Sequence, residues 1–93
     1  MELELRFFAA FREAVGSKTI EREFDDSADV GTVLQALEAE FDGLEGRLLD
    51  DEGGLRPQLS VLKNGRETVH IDGLSTPLED GDTVSVFPPV AGG

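Results

Sequence analysis

Asp29-Val30-Gly31-Thr32-Val33-Leu34-Gln35-Ala36-Leu37-Glu38-Ala39-Glu40-Phe41 is the stretch on which the fold turns. Val30, Val33, Leu34, Leu37 and Phe41 recur at offsets 0, 3, 4, 7 and 11, which lines them up on one face of an α-helix. Asp29 stands at the N-cap position, and the acidic run Asp25-Asp26-Ser27-Ala28-Asp29 suits the positive end of the helix dipole. Gly43 follows as a stop signal. An apolar helix face must be covered by another layer, so the flanking segments decide what kind of domain this is.

Both flanks read as strands. On the N-terminal side, Leu3, Leu5 and Phe7 alternate with Glu2, Glu4 and Arg6, the period of a half-buried strand over Glu2–Phe8. Ala9–Val15 is a connection with at most a short helical turn, ended by Gly16-Ser17. Lys18–Phe24 is a second strand with Ile20 and Phe24 inward, and the short connection makes it antiparallel to the first. On the C-terminal side, Leu44–Leu49 adds a short turn and Asp50–Pro57 a glycine-rich loop. Gln58–Lys63 is a third strand, and Asn64-Gly65 turns it into a return strand over Arg66–Ile71. Asp72–Asp82 is turn-rich, and Thr83–Phe87 is the fifth strand. The order β-β-α-(turn)-β-β-β predicts an α+β roll, one main helix packed on one face of a mixed five-stranded sheet, as in a β-grasp.

The composition excludes several functions. The 93 residues carry a net charge of −12, from 20 acidic and 8 basic side chains, spread along the chain. Such a surface repels phosphate backbones and anionic lipid, so neither nucleic acid nor membrane is expected as a partner. It suits a soluble protein, and in its sharper form one adapted to high salt. With no cysteine there is no disulfide, no thiol nucleophile and no thiolate metal site. The alternating, charged N-terminus is not a signal peptide, and no apolar run is long enough to span a bilayer. A cytoplasmic location is the simplest expectation.

After the last strand come Pro88-Pro89-Val90-Ala91-Gly92-Gly93. The prolines fix φ and favour extended backbone. The glycines leave no Cβ beside the last carboxylate, so the end can enter a narrow tunnel. Six extended residues reach roughly 20 Å. The expected division is a domain over residues 1–87 and a flexible tail over residues 88–93. The reactive group is expected to be the carboxylate of Gly93, with Gly92 keeping its approach open.

The tail Phe87-Pro88-Pro89-Val90-Ala91-Gly92-Gly93, the block Leu78-Glu79-Asp80-Gly81-Asp82-Thr83-Val84 and the opening Leu5-Arg6-Phe7-Phe8-Ala9 together resemble the ubiquitin-like, MoaD-like sulfur carriers. Lys63-Asn64-Gly65 and the acidic composition resemble the haloarchaeal small archaeal modifier proteins in that group. The resemblance implies a substrate and carrier, not an enzyme. An E1-like partner would use ATP to adenylate the Gly93 carboxylate. The acyl group would then be joined to target lysines by an isopeptide bond (sampylation), or converted to a thiocarboxylate. A deconjugating protease is a further implied partner. The alternative is the sulfur-donating small subunit of molybdopterin synthase, in molybdenum cofactor biosynthesis, whose partner is the large subunit. No permanently bound cofactor and no metal are implied.

A β-grasp sheet commonly runs 2-1-5-3-4, which sets the first, fifth and third strands side by side. Phe8, Leu62 and Phe87 have the opposite parity to the inward residues of those strands. They are expected to form an apolar partner-binding patch on the face away from the helix, at the root of the tail. Lys63 and Lys18 are the side-chain amines that self-conjugation could use, with Lys63 the more accessible beside its hairpin. His70 has no serine or acid placed to form a triad, and Asp80-Gly81-Asp82 lacks the rest of a calcium loop. His70 reads as structural or merely exposed, and Asp80-Gly81-Asp82 as turn chemistry. No catalytic residue is expected in the chain.

Overall fold

The structure, a computed structural model, describes residues 1–89. It contains strands β1 (Glu2–Phe7), β2 (Thr19–Glu23), β3 (Ser60–Lys63), β4 (Arg66–Glu67) and β5 (Thr83–Phe87), with helices α1 (Ala9–Val15) and α2 (Val30–Glu40). Short 3-10 turns occupy Asp42–Leu44, Thr68–His70 and Gly73–Ser75. The sheet order is β2-β1-β5-β3-β4. β1 runs antiparallel to β2 and parallel to β5, and β3 is antiparallel to both β5 and β4. This is the β-grasp arrangement expected from the strand and helix order.

Period-two patterning places Leu3, Leu5 and Phe7 of β1 and Val84 and Val86 of β5 in the core. Val30, Val33, Leu34 and Leu37 of α2 close over them, all but fully buried. Each such side chain contributes about 1.5–3 kcal/mol by leaving water. At the start of α2, the Asp29 carboxylate accepts from the Thr32 backbone N–H at 2.9 Å and from its hydroxyl at 2.9 Å. The cap read from the sequence is therefore in place.

Three local expectations are corrected. Ala9–Val15 forms two turns of helix, because Phe11 has a hydrophobic slot to fill and is fully buried there. Gly16, at φ +87°, closes that helix by donating its N–H to the Arg12 carbonyl. The second helix ends at Glu40, before Gly43, with Phe41 already extended. Gly43 serves packing instead: a Cβ there would lie 2.8 Å from the Ala14 Cβ. The return strand pairs over Arg66–Glu67 only, since Thr68 turns inward and donates its hydroxyl to the Val61 carbonyl at 2.9 Å. The hairpin itself is as expected, with Asn64 and Gly65 both at positive φ, +51° and +84°.

Candidate functional site

β1 and β5 are parallel and in register, Phe7 against Val86, so both strands finish at the same end of the sheet. The residue that follows β1 is Phe8, still extended at φ −132° and ψ 151°. The residue that completes β5 is Phe87. With Phe7 and Val86 turned into the core, alternation sends the next residue on each strand to the opposite face. There the Phe8 and Phe87 rings stack, with centroids 4.0 Å apart and planes 9° from parallel. The antiparallel β3 brings Ser60 opposite Phe87 and Leu62 opposite Ser85. Phe8, Leu62 and Phe87 are each half-buried, the two rings shielding one another.

Two open grooves flank this ridge. One, of about 620 Å³, has Phe8, Ala9 and Ala10 on the α1 side and Phe87, Pro88 and Pro89 on the β5 side, with Arg47 completing its lining. The other, of about 310 Å³, runs past Leu62 and Phe87 to Pro88, with Gln58, Ser60 and Glu67 as its polar residues. Leu62 therefore faces Phe87 across the second groove, while Phe8 faces it directly. The apolar walls meet where Pro88 and Pro89 leave the sheet. Val90, Ala91, Gly92 and Gly93 lie outside the described residues.

The opposite end of the sheet is tied down by polar contacts. Asp80 Oδ1 accepts from the Glu2 N–H at 2.7 Å, and the Gly81 N–H donates to the Glu2 carbonyl at 2.8 Å. Asp82 is buried, accepting from Asn64 Nδ2 at 2.9 Å and the Glu79 N–H at 2.8 Å, with Lys63 Nζ at 3.8 Å. Burial alone would raise its carboxyl pKa, but these hydrogen bonds and the Lys63 charge outweigh it and hold the pKa below the ordinary value. Asp80-Gly81-Asp82 is thus a fastening between β1 and the hairpin. His70 is exposed at the end of a 3-10 turn.

The two lysines exchange places relative to expectation. Lys63 donates to the Pro77 carbonyl at 2.9 Å, pairs with Asp82, and its side chain is only 22% exposed. Lys18 is exposed immediately before β2. The Met1 amine donates to the Phe24 carbonyl at 2.7 Å and to Asp26 Oδ1 at 2.9 Å. The hydrogen bond to Asp26 raises the pKa of this amine above its usual value.

Sequence reasoning missed Ala9, Ala10 and Arg47 as groove residues. Ala9 and Ala10 fall in the segment read as a connection. Arg47 is far from Phe8 along the chain, and its only visible signal is scarcity, as one of 8 basic residues. Its guanidinium lies 5.1 Å from the centre of the buried Phe11 ring and donates to the Gly43 carbonyl at 3.2 Å.

A β-grasp sheet whose apolar ridge lies at the root of a Pro-Pro segment defines the class, and the chain belongs to the ThiS family, whose profile matches residues 5–93. Within it, the chain is 67% identical to small archaeal modifier protein 3 of Haloferax volcanii, across the full length of both proteins. It superposes on the crystal structure of small archaeal modifier protein 1 from the same organism with a TM-score of 0.86, at 35% identity and complete coverage of both chains. It also matches a chain of the Amycolatopsis orientalis BexX/CysO complex, with a TM-score of 0.81 at 27% identity, covering 98% of this chain and 99% of that chain.

Proposed function

We propose that the chain is a ubiquitin-like protein modifier that doubles as a sulfur carrier, with the carboxylate of Gly93 as its reacting group. The observation that carries this reading is the Phe8–Phe87 stack beneath Pro88 and Pro89. It gives a partner a firm apolar hold at the point from which the residues leading to Gly92-Gly93 depart. The likeness to a modifier protein over the whole of both chains supports it. The chain is the substrate of this chemistry and its partner is the catalyst.

A carboxylate is a poor electrophile, so it must first be activated. One Gly93 carboxylate oxygen attacks the α-phosphorus of ATP on an E1-like enzyme, and pyrophosphate leaves. The enzyme supplies the positive charge that this step requires. A target lysine amine then attacks the acyl carbon, losing a proton as AMP leaves and an isopeptide bond forms. A sulfur donor's persulfide attacks the same carbon instead, AMP leaves, and a thiol then cleaves the acyl disulfide by exchange, releasing the thiocarboxylate as the donor sulfur and the thiol sulfur form a disulfide. Residues 88–93 act as the reach that carries Gly93 into the active site. A protease that cleaves the isopeptide bond returns the chain to use. Cytoplasmic location and a high-salt host fit the acidic composition.

The 34% identity over 80 residues to the sulfur carrier protein CysO of Mycobacterium tuberculosis favours the sulfur-carrying arm as well. The pterin-directed form of that arm would make this chain the small subunit of molybdopterin synthase. Deleting the gene would then abolish molybdoenzyme activity. For self-conjugation, Lys18 is the acceptor favoured over Lys63, because Lys63 is committed to Pro77 and Asp82. Mass spectrometry of protein from its own host tests both arms. Gly-Gly remnants on foreign lysines and an oxygen-to-sulfur exchange at Gly93 are expected. Removing Gly92-Gly93 should leave the fold unchanged and abolish both signals; conjugates persisting in that variant would refute the proposal.

A further inference from the structure

We infer that Arg47 and the groove beside it form an orienting contact for the activating enzyme, engaging an apolar side chain flanked by a carboxylate. This rests on the carrier reading above and names a feature of its partner.

Among the described residues, Arg47 is the one charged side chain in the lining of this groove. The chain carries 20 acidic side chains. Among the described residues, ion pairs engage Arg6, Arg22, Lys63 and the Met1 amine, and none engages Arg47. Its guanidinium is nevertheless held in place, against the Phe11 ring and by the Gly43 carbonyl. A charge fixed by stacking and a backbone contact loses little conformational freedom when a carboxylate arrives. The rest of the groove is apolar: two alanines, two phenylalanine rings and two prolines. A matching surface therefore presents an aliphatic or aromatic side chain to the groove and an acidic group to Arg47.

Steric continuity selects the occupant. Pro88 and Pro89 themselves line the groove. A partner that draws the following residues into its active site must pass over them, and so must cover this groove. The activating enzyme does this before any later transfer. Glu67 borders the groove on the opposite side of the Phe87 ridge, so the two flanks differ in charge. The contact to Arg47 thus distinguishes one docking orientation from its reverse.

ATP–pyrophosphate exchange with the host's E1-like enzyme, measured against concentration of the full-length chain, tests the inference. R47E is expected to raise KM roughly tenfold or more with kcat unchanged. R47M, which keeps an apolar stem over Phe11 without the charge, is expected to raise KM severalfold and R47K to stay near wild type. R66E alters net charge as much as R47E but sits on β4 at the hairpin, away from the groove. It is expected to leave KM within about twofold of wild type. Equal KM values for R47E and R66E would overturn the inference while leaving the carrier reading intact. No exchange with the wild-type chain would overturn both. A wild-type dimer in gel filtration that R47E dissociates would assign the groove to a second copy and overturn it too.

Discussion

Ala9 holds φ at +50°, a left-handed backbone that costs a residue with a Cβ about 1–2 kcal/mol. It lies between Phe8, stacked on Phe87, and Phe11, sealed in the core. The strain is sustained because both rings are anchored on opposite sides of it. Ala9→Gly should therefore stabilise the fold by about 1 kcal/mol in urea unfolding, and a loss of stability would show that the backbone is unstrained there. Asp82 makes the opposite case, a residue whose partners need it. Asp82→Ala should cost about 1–3 kcal/mol at neutral pH, by stranding the Asn64 amide, the Glu79 N–H and Lys63. Its folded pKa is depressed, so its stabilising effect is complete above the ordinary carboxyl value of about 3.9. That effect is lost as pH falls through the folded value. The gap between wild type and variant in urea midpoints should therefore narrow below about pH 4. A gap that stays constant to pH 2 would contradict the assignment.

Elements meet where side chains are absent as well as where they interlock. The α1 helix passes so close to the Asp42–Leu44 turn that Gly43 has room only for hydrogen, with the Ala14 Cβ 2.8 Å from where its own Cβ would stand. Gly43→Ala should lower stability by about 1–3 kcal/mol, read by thermal unfolding. Ala14→Gly in the same chain should restore part of it; no restoration would place the clash elsewhere. At the N-terminus of α2, Asp29→Ala should cost about 1 kcal/mol, because the Thr32 N–H and hydroxyl both depend on that carboxylate. The α2 helix was legible from its apolar spacing, its cap and its acidic lead. The α1 helix was not, because its register is set by one residue, Phe11, whose slot exists only once β1, α2 and the Leu44 turn are assembled. The return strand was overread for a similar reason. Nothing local shows that Thr68 prefers the Val61 carbonyl to a place in the ladder.

At the scale of the whole molecule, self-repulsion is the dominant electrostatic fact. The net charge is −12 on 93 residues, and the few ion pairs among the described residues are largely at the surface. Salt shortens the Debye length from about 10 Å at 0.1 M to about 3 Å at 1 M, which removes most of this repulsion. The melting temperature should therefore rise steadily with potassium chloride over that range in circular dichroism. A flat or falling curve would mean that the acidic surface does not limit stability. The same negative field should make association with the activating enzyme faster at low salt if the enzyme's dock is basic, with Arg47 the local exception.

Period and spacing in the sequence were enough to determine the order of the strands and the main helix α2, the core faces of β1 and β5, the hairpin turn, and the parity that puts Phe8, Leu62 and Phe87 opposite the core. These are local properties, set by the alternation of side chains along each element. Only the tertiary structure decided that Phe8 and Phe87 stack, that Leu62 meets Phe87 across a separate groove, and that Arg47 reaches the same place. It also decided that Lys63 is tied down while Lys18 is exposed. The physical reason is the parallel pairing of β1 with β5, which joins residues from opposite ends of the chain. A contact made by closing so long a loop leaves no trace in the spacing of its neighbours.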